Sequence, residues 1–283
     1  MLLLLILLLS ALSGAGLCAI GGGFEGLGWL WQFPVGFAGG FLLSAALAFG
    51  ILVGICYLID PEKPREKDCR WFRTMVMWYI QAILTVLPIR IQKQGMEKFQ
   101  VDGRFVLVCN HLDNIDPAFL LSAFPKSQLA FVAKKETRDM FLVGHAMPKL
   151  LCPFINREND REALKTILRC ISLLKNDVVS VAVFPEGRIN KYRKLAHFRP
   201  GVFKIAQKAN VPIVVCTMRN TNHVIGRLLK GKGSTVDLRL LEVIPAQQVQ
   251  NSTTVELADR VYSLMAADLG PENVLTPEEE ENT

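Results

Sequence analysis

The sequence places a histidine and an aspartate where they could share a proton: Asn110-His111, then Asp116 five residues on. The apolar run Phe105–Cys109 precedes them, and Asp116-Pro117 has the form of a helix start, with proline at a favourable first-turn position. A histidine at such a strand-to-helix junction faces a cleft rather than the core. A carboxylate at this spacing can return to the imidazole Nδ1, which fixes the tautomer and leaves Nε2 free as a general base. Asp113 is closer in sequence but would have to fold back within a tight turn, so Asp116 is the expected partner. Cys109 is two residues from His111 and shares its strand face, but it ends a buried run, which disfavours a covalent role. Arg157 stands just ahead of a strongly helical segment. A guanidinium beside the free N–H groups of a helix start can hold a phosphate, or it can pair with Glu158 or Asp160. Phe184-Pro185-Glu186-Gly187 closes a second buried run. Gly187 allows a ligand to approach the backbone closely, and Glu186 at a strand end is poorly placed for mere solubility.

These pieces fall in a recognisable order. Asn110-His111-x4-Asp116 resembles the N-H-x4-D motif of the glycerolipid acyltransferase family, and Pro153-Phe154-Ile155-Asn156-Arg157 resembles its second block. Phe184-Pro185-Glu186-Gly187 resembles the start of its F-P-E-G-T-R block, and Val211-Pro212-Ile213-Val214 its V-P-I-V-P block. The match runs over about 90–245, and the hydrophobic amino-terminal part resembles that of bacterial members. The resemblance implies transfer of a fatty acyl group from acyl-CoA or acyl-carrier protein to the 2-hydroxyl of 1-acyl-glycerol 3-phosphate, giving phosphatidic acid. It makes His111 the base and Asp116 its orienting partner. It gives Arg157, Glu186, Gly187 and Arg188 to the acceptor's phosphate, with Asn110, Pro185 and Pro212 in support. Where the family continues T-R, this chain has Arg188-Ile189, so its second arginine stands one residue early. Other acceptors, glycerol 3-phosphate or a non-phosphorylated lipid, are the alternatives, as is a non-catalytic lipid-binding membrane protein. The last would be expected to lose His111 or Asp116, and both are present.

The elements that must position these residues alternate. Ile89–Lys93, Phe105–Cys109, Leu129–Ala133, Val178–Phe184, Val211–Met218 and Val236–Ile244 read as strands, the first two bracketing a turn at Asp102-Gly103. Asp116–Phe124, Arg161–Lys175, Val202–Ala209 and Thr254–Ala267 read as helices, the second with Leu164, Ile167, Leu168, Ile171 and Leu174 on one face. Such alternation predicts an α/β body with a mixed, largely parallel sheet flanked by helices. No metal is expected: the seven cysteines show no C-x-x-C, and the histidine–aspartate pair has no third ligand. No cofactor is expected beyond the acyl donor. Lys230-Gly-Lys-Gly-Ser234 lacks the order of a phosphate loop and reads as a basic turn. His145, His197 and His223 lack an acidic neighbour at useful spacing.

Charge divides the 283 residues sharply. Residues 1–60 hold no lysine or arginine and only Glu25 and Asp60 as acids, so all 32 basic residues lie beyond them. The later part carries a net +8, which suits an anionic lipid surface; nucleic acid is not an expected partner, for want of an aromatic-basic motif. A mean hydropathy of +0.28 excludes a disordered chain. The head contains two apolar runs. The second, Pro34–Ile59, exceeds the roughly 20 residues a bilayer demands. The first, from Leu2 through Ile20, reads as a full span, a half-buried segment or a signal-like piece. Gly21–Gly23 and Trp29–Trp31 form the expected interfacial turn. Lys63, Arg65, Lys67, Arg70 and Arg73 follow, and the positive-inside rule places the body in the cytoplasm, on an integral membrane anchor. Residues 69–87 read either as a helix lying on the membrane, with Arg70 and Arg73 at the headgroups, or as one packed on the body. The expected organisation is a membrane anchor over 1–60, a basic linker and interfacial helix over 61–88, the acyltransferase domain over 89–270 and a disordered acidic tail over 271–283.

Overall fold

The computed structural model describes residues 1–23, 26–58 and 65–282 and divides into two compact units, Met1–Lys63 and Pro64–Thr283. Glu25, Asp60 and Lys63, which enter the charge argument above, lie outside the described residues.

The first unit is a helical hairpin, α1 (Leu2–Ile20) and α2 (Trp29–Leu58), and each helix is long and apolar enough to cross a membrane. The helices meet through small residues. Ser10, Gly14 and Cys18 of α1 are buried, as are Gly36 and Ser44 of α2. A Cβ added to Gly36 would lie 2.9 Å from the Gly14 Cα, and one on Gly40 2.6 Å from the Ser13 Cβ. Backbones therefore approach as closely as small-residue stripes allow. The leucines point away: Leu4, Leu8, Leu12, Leu42, Leu43 and Leu47 are all exposed, as lipid-facing residues are. Two expectations shift here. Trp29–Trp31 belong to the first turn of α2 rather than to the connecting turn, and Pro34 lies within the helix. As the sixth residue of α2 it removes the N–H that would bond to the Leu30 carbonyl, a loss that membrane helices tolerate.

The second unit comprises α3 (Arg70–Val86), β1 (Ile89–Gln94), β2 (Val106–Cys109), α4 (Asp116–Ala123), β3 (Leu129–Phe131), β4 (Ala133–Lys134), α5 (Val143–Lys149), β5 (Phe154–Ile155), α6 (Asp160–Lys175), β6 (Ser180–Val183), α7 (Lys204–Ala209), β7 (Ile213–Arg219), α8 (Val224–Leu228), β8 (Ser234–Ile244), α9 (Ala246–Asn251), α10 (Thr254–Leu269) and α11 (Pro277–Glu281). Six strands form one sheet in the order β1-β8-β7-β2-β6-β3, and β4 pairs with β5 separately. Every pairing in the large sheet is parallel except β7 with β8. The mixed, largely parallel α/β sheet expected from the alternation is thus present. All four residues of β2 and of β6 are buried, which is why these strands read as unbroken apolar runs rather than alternating ones. Val106, Val108, Val181, Val183, Ile213 and Val215 pack on one side against Cys170, Ile171 and Leu174 of α6 and Val261 and Met265 of α10.

Several local expectations are corrected. β1 and β2 do not pair; β1 joins β8, and β2 sits between β6 and β7. The segment Leu129–Ala133 splits because the chain changes partners: Val132 N–H still donates to Ala182 O, whereas Ala133 N–H donates to Pro153 O. On α6, Leu164 and Leu168 are exposed, and the buried stripe runs through Thr166, Cys170, Ile171, Leu173 and Leu174. The apolar face is wider than the sheet can cover, so its rim stays outside. Arg73 is not displayed outward but buried, while Trp71, Ile83 and Val86 on the same helix are exposed. Thus α3 packs on the body by one face and presents apolar side chains on the other. The acidic tail forms α11, capped by Thr276, and Glu279 and Glu280 pair with Lys194 and His197. His197 therefore has an acidic partner, from 83 residues away, that sequence spacing could not reveal.

Candidate active site

The site forms where β2 and β6 end side by side. Their parallel register pairs Val108 with Val183, so the residues that follow each strand emerge together. Asn110 stops β2 by bonding both ways to Met218 on neighbouring β7, its Nδ2 donating to the carbonyl at 2.9 Å and its Oδ1 accepting the N–H at 2.7 Å. Fully buried, it fixes where the chain turns out of the sheet. On the other side of β2, Val106 N–H donates to Pro212 O, so Pro212 sets the register of β7 from behind the site.

The turn itself is organised by Asp116, which is fully buried at the start of α4. Its Oδ2 lies 2.8 Å from His111 Nδ1 and accepts the backbone N–H groups of Leu112 and Asp113 at 2.7 and 2.9 Å. Its Oδ1 has no hydrogen-bond partner among the described residues. The nearby Asp113 instead accepts the Ile115 N–H and lies 3.9 Å from Arg193, whose guanidinium also donates to Leu112 O. With an acceptor-only carboxylate at Nδ1, that nitrogen carries the proton and Nε2 the lone pair. The His111 side chain is 16% exposed, enough for Nε2 to meet a ligand.

The third block holds the histidine from two sides. The Phe184 ring stacks on the imidazole at 4.0 Å and 12°, and Phe131 of β3 continues the stack. Glu186 accepts the His111 N–H at 2.8 Å through Oε1 and the Ala196 N–H through Oε2. Burial pushes its carboxyl up to about 8, against the downward pull of those two bonds. Neither the stack nor the backbone bond is visible as a local pattern; the only sequence signal was the block itself. Cys109 is fully buried and its thiol is held well above its ordinary pKa, chiefly by burial. A buried, protonated thiol is a poor nucleophile.

Gly187 turns with φ +78°, and Pro185 O accepts the Arg199 N–H at 2.9 Å. The Arg199 side chain passes directly over Gly187. Arg157 is half-buried, and burial followed by the like charge of Arg199 lowers its pKa, with Glu136 opposing. It forms no ion pair with Glu158 or Asp160 among the described residues. The helix start beside it is not an open anion site either, because the Asn159 side chain already accepts the Arg161 and Glu162 N–H groups. Arg188, expected beside Arg157, is exposed. The structure therefore brings together His111, Asp116, Glu186 and Gly187, while Arg157 is within electrostatic reach of Arg199 and Glu136. Asn110, Pro185 and Pro212 stand behind them, and Arg193 and Arg199 are additions.

Residues 90–219, which contain this whole constellation, match the model of the acyltransferase family. A Caenorhabditis elegans protein provisionally named a 1-acyl-sn-glycerol-3-phosphate acyltransferase is 30% identical over 61% of this chain and 62% of its own. The 1-acyl-sn-glycerol-3-phosphate acyltransferase of Saccharomyces cerevisiae is 23% identical over 78% of this chain and 72% of its own. The chain spans between 51% and 62% of the length of the relatives it matches at 30% identity or more. The crystal structure of the 1-acyl-sn-glycerophosphate (LPA) acyltransferase PlsC from Thermotoga maritima superposes with a TM-score of 0.60 at 24% identity, over 79% of this chain and 87% of that one. That likeness is one of fold.

Proposed function

We propose that this protein transfers a fatty acyl group from acyl-CoA or acyl-carrier protein to the 2-hydroxyl of 1-acyl-glycerol 3-phosphate, making phosphatidic acid. The observation that carries this reading is the His111–Asp116 pair, with Nε2 left open at the mouth of an acyltransferase domain. Nε2 takes the proton of the acceptor hydroxyl as that oxygen attacks the thioester carbonyl. The tetrahedral intermediate collapses, the C–S bond breaks, and the imidazolium returns the proton to the departing thiolate. Asp116 holds the ring in the productive tautomer and stabilises the imidazolium. Base catalysis of this kind supplies roughly 10²–10⁴-fold, and positioning and oxyanion stabilisation supply the remainder. The thioester is already activated, so the reading calls for no metal or further cofactor.

Arg157 and the Glu186-Gly187 turn hold the acceptor's phosphate in this reading. The hairpin of α1 and α2 anchors the enzyme in the cell membrane, and the body faces the cytoplasm, where the acyl donors are made. The departure at Arg188-Ile189 favours, as a second reading, an acceptor other than lysophosphatidic acid.

The test is transfer of labelled acyl groups by the purified full-length protein, with both donors and with lysophosphatidic acid, glycerol 3-phosphate and monoacylglycerol as acceptors. Lysophosphatidic acid should be the preferred acceptor. His111→Ala should retain no more than a few per cent of the rate, roughly matching the loss of general-base catalysis. Asp116→Asn should slow turnover far more than Asp113→Asn, because only Asp116 reaches Nδ1. A His111→Ala enzyme that keeps its rate, or a preference for monoacylglycerol, would refute the corresponding part.

A further inference from the structure

We propose that Arg193 is a positioning residue for the His111–Asp116 pair and acts on it through the peptide between Leu112 and Asp113. The inference rests on the acyl-transfer reading above and deepens it.

One peptide group carries the connection. Its N–H, that of Asp113, donates to Asp116 Oδ2 at 2.9 Å, and its carbonyl, that of Leu112, accepts from Arg193 Nη1 at 2.6 Å. A trans peptide is planar, so its N–H and C=O point in opposite directions. Holding the carbonyl on the guanidinium therefore aims the N–H at the carboxylate. A cation on the carbonyl also polarises the group and strengthens the N–H as a donor. Oδ2 is the oxygen that lies 2.8 Å from His111 Nδ1, and its place is set by the backbone N–H groups of Leu112 and Asp113. If the Leu112–Asp113 peptide turned over, it would present its carbonyl to a fully buried carboxylate, and Asp116 would rotate away from the ring. Arg193 blocks that rotation from outside, and its 3.9 Å approach to Asp113 holds the same turn a second time.

The guanidinium comes from 81 residues away, on a backbone built to deliver it. Arg193 has φ +56°, a left-handed state that arginine adopts at a cost. Such a state persists only where its neighbours over-determine it. Here the Arg193 N–H donates to Asn190 O at 3.1 Å. The buried Asn190 side chain then bonds both ways to Lys194, its Oδ1 accepting the N–H at 3.3 Å and its Nδ2 donating to the carbonyl at 2.5 Å. Beyond the strained residue, Lys194 Nζ meets both carboxylate oxygens of Glu279 at 2.7 and 2.9 Å. Leu195 N–H donates to Asn273 O, and Leu195 O accepts the Leu275 N–H. The segment before α11 thus straps down the loop that carries Arg193.

The experiment uses the full-length protein in detergent micelles, isotopically labelled at the ring nitrogens of its four histidines, alongside rates of acyl transfer to lysophosphatidic acid. Nitrogen NMR separates protonated from bare ring nitrogens, and the His111→Ala protein identifies the His111 signals. With the ring neutral, wild-type His111 should carry its proton on Nδ1. Arg193→Gly is the informative variant, because glycine takes a left-handed φ freely and the turn survives. It should turn His111 into a mixture of both tautomers. It should also lower kcat about tenfold, the scale for losing one charge-assisted hydrogen bond, with both KM values within about twofold. Arg193→Lys should recover part of both changes, since a single donor meets a single carbonyl. Lys191→Ala, which removes an exposed charge from the same loop, should change neither. A fall in kcat with the tautomer unchanged, or equal effects from Lys191→Ala, would overturn the proposal. A tautomer that depends on Arg193 in a protein that transfers no acyl group would sink the acyl-transfer reading and keep the positioning role. Turnover and tautomer both indifferent to Arg193 would do the reverse.

Discussion

Glu186 is almost fully buried and still serves two backbone N–H groups on different segments. Those bonds favour the carboxylate and burial favours the acid; burial wins, and the folded pKa near 8 exceeds the ordinary 4.5. The sign follows. The folded state holds the proton more tightly than the unfolded chain, so the stability this group contributes is complete below about pH 4.5 and is lost as pH rises through about 8. From about pH 6 to about pH 8 the loss is on the order of 2 kcal/mol. In Glu186→Gln the amide oxygen still accepts the His111 N–H, while its NH2 meets the Ala196 N–H at a cost that does not vary with pH. Thermal unfolding of the two proteins over this range should therefore show the wild type losing stability relative to the variant as pH rises. Parallel curves would mean that the carboxylate stays ionised throughout and that the two N–H bonds outweigh burial.

Among the elements, α3 is held most firmly at its start. The buried Arg73 pairs with Asp68 at 2.9 Å and donates to Leu129 O at 2.8 Å and Leu150 O at 3.1 Å. One guanidinium thereby joins the helix start to β3 and to the turn after α5. Removing it leaves a nearly buried carboxylate and two carbonyls without their donor. Arg73→Met should destabilise the protein by about 3–5 kcal/mol, the range for breaking one side of a buried pair. Arg70→Met, one turn away and exposed, should change stability by no more than about 0.5 kcal/mol. Unfolding midpoints of the two variants decide the point, and equal midpoints would mean that Arg73 is held by nothing essential. The exposed face of the same helix, with Trp71, Ile83 and Val86, is suited to lie against a lipid surface while the buried face holds it to the body.

For the whole molecule, the division of charge is the governing feature: an amino-terminal part without lysine or arginine, then a body of net +8. In the proposed topology the hairpin spans twice and puts both of its ends on one side, which the positive-inside rule assigns to the cytoplasm. An alkaline phosphatase inserted in the loop between α1 and α2, near Glu25, should be active because it is exported. The same reporter fused after Thr283 should be inactive. Export of the carboxyl terminus would contradict both the charge argument and the supply of acyl donors. α2, with 30 residues, is about 45 Å long against a hydrocarbon layer of about 30 Å, so in the proposed topology it tilts or extends beyond the layer.

What was legible in the sequence was whatever depends on near neighbours along the chain. The apolar runs of β2, β6 and β7 show buried parallel strands because strands covered on both faces have no polar side to display. The spacing from His111 to Asp116 shows their pairing because one turn at a helix start spans it. Charge shows the two-part division directly. The tertiary structure decided what depends on register. Only the pairing of Val108 with Val183 sets the Phe184 ring on His111 and the Glu186 carboxylate on its backbone, more than 70 residues apart in the chain. The same holds for Arg199 over Gly187, for Arg73 bridging α3 to β3, and for Glu280 reaching His197. A one-residue slip of either strand would leave every local motif intact and separate these groups, because successive side chains on a strand point to opposite faces.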